Sequence, residues 1–286
     1  MNRIILVIII LLTALSVHAV NPQKYLSYFS SDLIQSAHTA KDIQGLNKEE
    51  KEVILWTNLV RLAPTEFSKM LQQYIQEHPE FKWNDPYVKS LIVDLKNTPI
   101  LAPLYPTQLL HTNANDHALY SQLTQRRGHD NFEQRAQIAF NEKYIAYGEN
   151  CAYYVRDALH AVVSLLIDKD VPDLGHRKII LDNNFSEIGV AVLPYYNNPY
   201  KVVVQEFGTS GKAPYFVKNT YPAPVVQSKS MHTPAPEKII VKNNSNIQEM
   251  YINGKYVKVD TSKFYTWNEY QQYLKNAQKL KSKTQQ

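Results

Sequence analysis

The feature that most limits the fold is a change of hydrophobic period late in the chain. Up to about residue 181, apolar residues recur at three- and four-residue spacing, the mark of amphipathic helices. After that come two strand-like runs. Glu187 to Leu193 alternates as Ile188, Val190 and Val192, and Lys201 to Phe207 follows. Between them, Pro194 to Pro199 holds Asn197-Asn198, which suits a hairpin turn. Helices first and a hairpin last is the order of an α+β domain.

The helical part divides at its caps and prolines. Asn47, with Glu50 three residues on, forms a capping-box pattern, and Val53, Trp56, Leu59 and Val60 follow at helical spacing. Asn58 and Arg61 are three apart and share a face. Pro64 opens a helix that reaches about Gln76, and Tyr87 to Lys96 reads as another. Pro99, Pro103 and Pro106 force an extended connection. Thr107 is the expected N-cap of a helix running to about Arg126, with Arg126-Arg127-Gly128 as its stop. Phe132 to Ala139 reads as helical and Asn141 to Tyr147 as a loop. Asp157 is the expected N-cap of a helix to about Asp168, and His176 to Leu181 forms a short helical turn.

Outside this body, residues 20–46 form a polar lead-in with a short helix around Gln23 to Ala37. Residues 1–19 have the pattern of a cleaved export signal: Asn2 and Arg3, an apolar run from Ile4, and small residues before a cut after Ala19. The run is too short for a transmembrane segment, so none is expected in the mature protein. Residues 211–236 carry Pro214, Pro222, Pro224, Pro234 and Pro236 and read as an extended linker. Residues 237–286 form a small C-terminal extension. It has strand-like runs at Lys238 to Lys242 and Glu249 to Val259, a hairpin signal at Asn253-Gly254, and an amphipathic segment from Trp267 to Leu280.

Two compositional facts exclude whole classes. The net charge of +5 is mild, and no run alternates basic with aromatic residues, so nucleic acid is not an expected partner. Cys151 is the only cysteine in the 286 residues, so an exported chain here forgoes an intramolecular disulfide and depends on core packing. Cys151 itself reads as a buried, inert thiol.

The residues with chemistry cluster between Gly128 and Gly189. They are Gly128-His129-Asp130, Tyr147-Gly148-Glu149-Asn150, Gly175-His176-Arg177 and Ile188-Gly189-Val190. Imidazole titrates near neutrality and is the commonest metal ligand, and a carboxylate beside it can orient the ring or complete a divalent-metal site. The separations are too long for a single-helix motif, so spacing alone does not establish a site. His117 reads as a core histidine and His160 as a helix-surface residue.

Taken in order, these residues resemble a CAP domain, the superfamily of cysteine-rich secretory proteins, antigen 5 and pathogenesis-related 1, also called SCP-like. The resemblance rests on Asn58-x-x-Arg61, on Ala114 with His117-Ala118, and on the Gly-His, Gly-Glu-Asn, Gly-His-Arg and Ile-Gly-Val clusters above. Gln205-Glu206-Phe207-Gly208 closes the set. Residues 47–210 are the expected extent of the domain.

The resemblance implies an α-β-α sandwich with a surface cleft. It also implies a cleft tetrad of two histidines and two acids, which in some members holds a divalent cation such as zinc. Carried over, His129 and His176 are the histidines and the candidate metal ligands, and Glu149 is the first acid. Asp168 is the nearest match for the second acid, although Leu165 replaces the family's aromatic residue there. Glu133 and Glu142 remain alternatives. Asn58 and Arg61 are expected to bond loop backbone and fix the cleft wall, within reach of a ligand. The lack of disulfides sets the chain apart from animal members and makes it look like a bacterial one.

Three functions follow as expectations. The first is a secreted or periplasmic module whose cleft binds a peptide, lipid or envelope component, tuned by a divalent cation. The second is a metal-dependent hydrolase with Glu149 as general base. The third is a structural envelope protein in which the C-terminal extension carries the function.

Overall fold

The computed structural model describes residues 22–195 and 199–210, and the backbone alone of 247–252 and 255–260. The expected export signal, the Asn197-Asn198 turn, the Pro-rich linker, the Lys238 to Lys242 strand, the Asn253-Gly254 pair and the Trp267 to Leu280 helix lie outside the described residues.

A 3₁₀ turn, Pro22–Tyr28, and helix α1, Ser31–Ala37, open the chain. Tyr25, Phe29 and Ala37 are buried in the main core, so residues of the lead-in pack with the body of the domain. Helices α2 (Lys48–Leu62), α3 (Pro64–Glu77) and α4 (Pro86–Asn97) follow. The capping box at α2 is formed: Asn47 Oδ1 accepts the Glu50 amide at 3.0 Å, and Glu50 Oε2 accepts the Asn47 amide at 2.8 Å. Every residue from Val53 to Arg61 is buried, as expected for a helix enclosed on all sides.

Strand β1, Tyr105–Pro106, leads into α5, Gln108–Thr124, and then α6, Phe132–Asn141. Thr107 has the extended backbone of an N-cap, but its hydroxyl lies 3.0 Å from that of Tyr144 and makes no cap bond. Helix α5 also ends earlier than Arg126-Arg127-Gly128 suggests. Gln125 turns left-handed at φ 57° and closes it, leaving the basic pair in the loop that follows.

Strand β2, Ala146–Val155, starts in the Asn141 to Tyr147 stretch that reads as a loop and runs on through residues that give no strand signal. Its polar triad Gly148-Glu149-Asn150 hides the strand, because buried polar residues replace the usual alternation. Helix α7, Ala158–Ile167, starts at Asp157 as expected, with the carboxylate accepting the His160 amide at 2.8 Å. Helix α8, Gly175–Ile180, and strands β3, Glu187–Pro194, and β4, Lys201–Thr209, complete the body. A separate antiparallel hairpin pairs β5, Ile247–Ile252, with β6, Lys255–Asp260.

The main sheet has the order β1-β3-β4-β2, parallel between β1 and β3 and antiparallel elsewhere. Residues directly opposite share a face. One row is Glu149–Glu206–Gly189, and the next on the same face is Cys151–Val204–Ala191. This face packs on α5 through Ala114 and Ala118. A Cβ on Gly189 would stand 2.0 Å from the Leu110 carbonyl carbon, so only glycine lets the α5 backbone come this close. The opposite face carries Ile188, Val190, Val203 and Phe207 into the large core shared with α2 and α7. The fold is therefore α+β, as the element order expects, and its layers form the α-β-α sandwich that the resemblance implies.

Candidate functional site

The first histidine is placed by a loop clamp. Gly128 sits at φ 108°, a conformation that favours glycine. Its carbonyl accepts from the Tyr153 hydroxyl at 2.9 Å and lies 2.9 Å from His117 Nε2, while its amide donates to the Tyr153 oxygen at 3.1 Å. Helix α5 and strand β2 thus grip the residue before His129. The His129 side chain stays 46% exposed, with its Nδ1 2.7 Å from Glu149 Oε1.

The second histidine is placed by a helix start. Asp168 closes α7 in a left-handed conformation at φ 55°, which Asp tolerates better than most residues. Its Oδ2 accepts the amides of His176 at 2.9 Å and Arg177 at 3.3 Å, and its Oδ1 lies 2.6 Å from His176 Nδ1. Arg177, buried alongside, donates to the carbonyls of Leu166, Ile167 and Tyr87 and to Asp94, tying α8 to α7 and α4. Asn150 adds a bond to the His176 carbonyl at 3.2 Å.

The two imidazoles meet. Their ring centroids are 5.9 Å apart, and each Nδ1 is held by a buried carboxylate. His129, His176, Glu149 and Asp168 therefore converge from four separate stretches. Glu133 and Glu142 are exposed on and just beyond α6, and Asp168 takes the carboxylate position that the sequence left open between the three.

Asn58 and Arg61 stand elsewhere. Both are 0% exposed. Asn58 bonds the carbonyls of Ala37 and Leu104 and accepts the Leu104 amide at 2.7 Å. Arg61 donates to four carbonyls, of Ala102, Ile180, Asp182 and Phe185. The backbone-bonding role expected for the pair is what the geometry shows. The expected ligand contact is corrected by their complete burial. His160 is corrected too: its side chain is only 13% exposed, packed by Phe81, and burial followed by the Arg156 charge pushes its pKa down to about 4.

Two charged residues of the site escape sequence reasoning. Arg135, on α6, is fully buried and joins both carboxyls: its Nε donates to Glu149 Oε2 at 2.8 Å and lies 3.2 Å from Glu206 Oε1. A lone arginine on a short helix gives no signal of burial. Glu206 lies in the quoted Gln205 to Gly208 run, directly opposite Glu149. Two carboxyls in contact need a proton between them. Burial, then the charge of Glu149, pushes the Glu206 carboxyl well up, so it keeps the proton and donates to Glu149. Burial works against ionised Glu149 as well, but the His129 hydrogen bond and the charges of His117 and Arg135 outweigh it and hold its pKa low.

His117, Glu149 and Cys151, all buried, offer one ligand atom each within 4.8 Å of one another, a triad able to hold a metal. Burial raises the Cys151 thiol well above its ordinary pKa, in keeping with the inert reading of the free side chain.

Residues 100–207 match the family model for CAP, described as the cysteine-rich secretory protein family. The chain carries a CAP domain. The matched segment covers β1 through most of β4, with both histidines and both acids, while α1 to α4 precede it. Solved structures similar to the chain include an outer surface protein from Borrelia burgdorferi, at 19% identity and TM-score 0.33, covering 43% of this chain and 89% of that one. An extracellular protein containing an SCP domain from Bacillus anthracis matches at 19% identity and TM-score 0.31, over 58% of this chain and 45% of that one. The venom allergen-like protein 4 of Schistosoma mansoni matches at 15% identity and TM-score 0.35, over 60% of this chain and 97% of that one. No curated protein matches the chain. Among the described residues, no helix is long and apolar enough to cross a membrane.

Proposed function

We propose that this is an exported protein, cleaved after Ala19, whose CAP domain binds an extracellular ligand in a cleft floored by His129 and His176. The ligand is a peptide, a lipid or an envelope component, and a divalent cation such as zinc tunes its binding. The observation that carries this reading is the pair of carboxylate-backed imidazoles, 5.9 Å apart and part exposed at 46% and 20%. With Nδ1 of each ring held by Glu149 or Asp168, Nε2 is the free nitrogen, and such backing orients a ring as a ligand and raises its basicity. The residues therefore fit a cation held between the two Nε2 atoms. Two protein ligands leave the ion open, so it would supply a charged contact for an oxygen of the ligand.

The hydrolase reading needs Glu149 to take a proton from water. Its side chain is 0% exposed, Arg135 and His129 occupy both oxygens, and its pKa is held low. A weak base out of reach of solvent is a poor general base. Binding rather than hydrolysis is the function this geometry favours.

The test is zinc calorimetry on the wild type and on the variant with both His129→Ala and His176→Ala. Saturable zinc uptake in the wild type, weakened at least tenfold in the variant, is expected. Equal uptake by both proteins, or none by the wild type, refutes the cation part of the reading.

A further inference from the structure

Beneath His129 lies a cluster of donor atoms, of which those of His117 and Cys151 take no part in the two-histidine site. His117 is 1% exposed, and its Nδ1 has no hydrogen-bond partner among the described residues. A buried, unpaired ring nitrogen calls for an explanation. The ring belongs to the triad with Glu149 and Cys151, whose ligand atoms lie within 4.8 Å of one another. A fourth donor adjoins them: His129 Nδ1 is 3.8 Å from Cys151 Sγ and 2.7 Å from Glu149 Oε1, and that oxygen is 3.8 Å from His117 Nε2. Ligands 2.0–2.3 Å from a tetrahedral centre stand roughly 3.3–3.8 Å from one another. The two 3.8 Å separations lie at the upper end of that range, and the 2.7 Å between His129 Nδ1 and Glu149 Oε1 is a hydrogen bond that must open for the ion to take its place.

The surroundings are arranged for such a set. Arg135 holds Glu149 by Oε2 and leaves Oε1 towards the imidazoles. The Gly128 carbonyl, which His117 Nε2 now meets, keeps the Tyr153 hydroxyl at 2.9 Å if that nitrogen turns to an ion. The 46% exposure of His129 gives a path inward. Thiolate and imidazole together select zinc, cobalt or copper over magnesium and calcium.

We infer that His117, His129, Glu149 and Cys151 form a site for a thiolate-accepting transition-metal ion such as zinc. It shares His129 with the proposed two-histidine site, using Nδ1 where that site uses Nε2, and it does not require His176. Binding replaces the Sγ–H bond with an Sγ–metal bond and sends that proton to solvent past His129, while each imidazole shifts its ring proton to its other nitrogen, His117 from Nε2 to the unpaired Nδ1 and His129 from Nδ1 to Nε2. The free thiol is unreactive because burial keeps it protonated, and the dipositive ion removes that penalty by compensating the thiolate charge.

The test titrates cobalt(II), under reducing conditions, into the wild type and the Cys151→Ala, His117→Gln and His176→Ala variants. Circular dichroism confirms that each is folded. Cysteine ligation gives a thiolate-to-cobalt charge-transfer absorption in the near ultraviolet. The expected result is that band at one equivalent in the wild type and in His176→Ala, lost in Cys151→Ala, reduced at least tenfold in apparent affinity in His117→Gln, and bleached by zinc. Cobalt uptake without the band overturns the inference. If that uptake disappears in His176→Ala, the two-histidine site stands alone. A band unaffected by His117→Gln also overturns it, and no uptake by the wild type removes both sites.

Discussion

The proton held between Glu149 and Glu206 makes a prediction about pH that can be worked out in sign and slope. Glu206 is 0% exposed, lies opposite Glu149 in the β2/β4 register and faces Arg135. One guanidinium and two carboxyls balance only if one carboxyl is neutral, and burial assigns the proton to Glu206. The folded-state pKa is therefore raised above the unfolded value of about 4.3. Its stabilising contribution is fully present below that value and is lost as pH rises towards the folded pKa, because the unfolded chain releases a proton that the fold retains. The slope in this window approaches about 1.4 kcal/mol per pH unit. Glu206→Gln keeps the shape and an N–H donor to Glu149 but has nothing to titrate. Urea unfolding of both proteins from pH 4.5 to 7.5 should show the variant gaining on the wild type as pH rises, by up to about 1.4 kcal/mol per unit. Glu149, with its pKa lowered, changes its contribution only below this window, and the histidine contributions are common to both proteins. A stability difference that stays flat across the range refutes the shared proton.

Two further outcomes follow from burial and close approach. His160 has its pKa lowered to about 4 by burial and then by the Arg156 charge, with Asp157, Glu80 and His78 also facing it. Its stabilising contribution is present above the unfolded value of about 6.5 and is lost as pH falls towards 4, a change of about 3 kcal/mol. His160→Leu should flatten the acid side of the stability profile measured by thermal unfolding, and an unchanged profile would contradict the assignment. Gly189→Ala places a methyl 2.0 Å from Leu110 backbone and 2.2 Å from the His111 nitrogen, so α5 must lift from the sheet. A loss of about 3 kcal/mol, towards the upper end for overpacking, is expected in the urea midpoint, and a neutral effect would mean that α5 is not held there.

How much was legible depended on whether a residue obeys the rule of its element. The caps at Asn47 and Asp157 announce α2 and α7 because local hydrogen bonds decide them. Strand β2 gives no sequence signal because its centre, Gly148-Glu149-Asn150, breaks the apolar alternation by which strands are recognised, and it does so because those residues serve the site. Gly128 has the sequence pattern of a C-cap for α5, whereas Gln125 adopts the left-handed turn that ends it and Gly128 instead aims His129. His129, Glu149 and His176 are readable from ordered motifs, whereas Asp168 is only the nearest match under the resemblance, with Glu133 and Glu142 beside it. Arg135 could not be read, since a buried arginine is explained only by the two carboxyls that tertiary structure sets around it.

The strand register carries the argument further than the residue list. Because side chains alternate across a sheet, a one-residue slip of β2 against β4 would turn Glu149 away from Glu206 and Cys151 away from α5, and point Asn150 in their place. The hydrophobic pattern of β2 is too weak to forbid that slip. The polar contacts forbid it: Asn150 on one face bonds the His176 carbonyl, and Glu149 on the other meets Arg135 and His129. Either face in the wrong register would bury an unpaired polar group at a cost of about 1–3 kcal/mol each, more for the carboxylate. The charges that prepare the two histidines thus also specify how the sheet is threaded. Removing them should cost fidelity of pairing as well as the cation affinity proposed above.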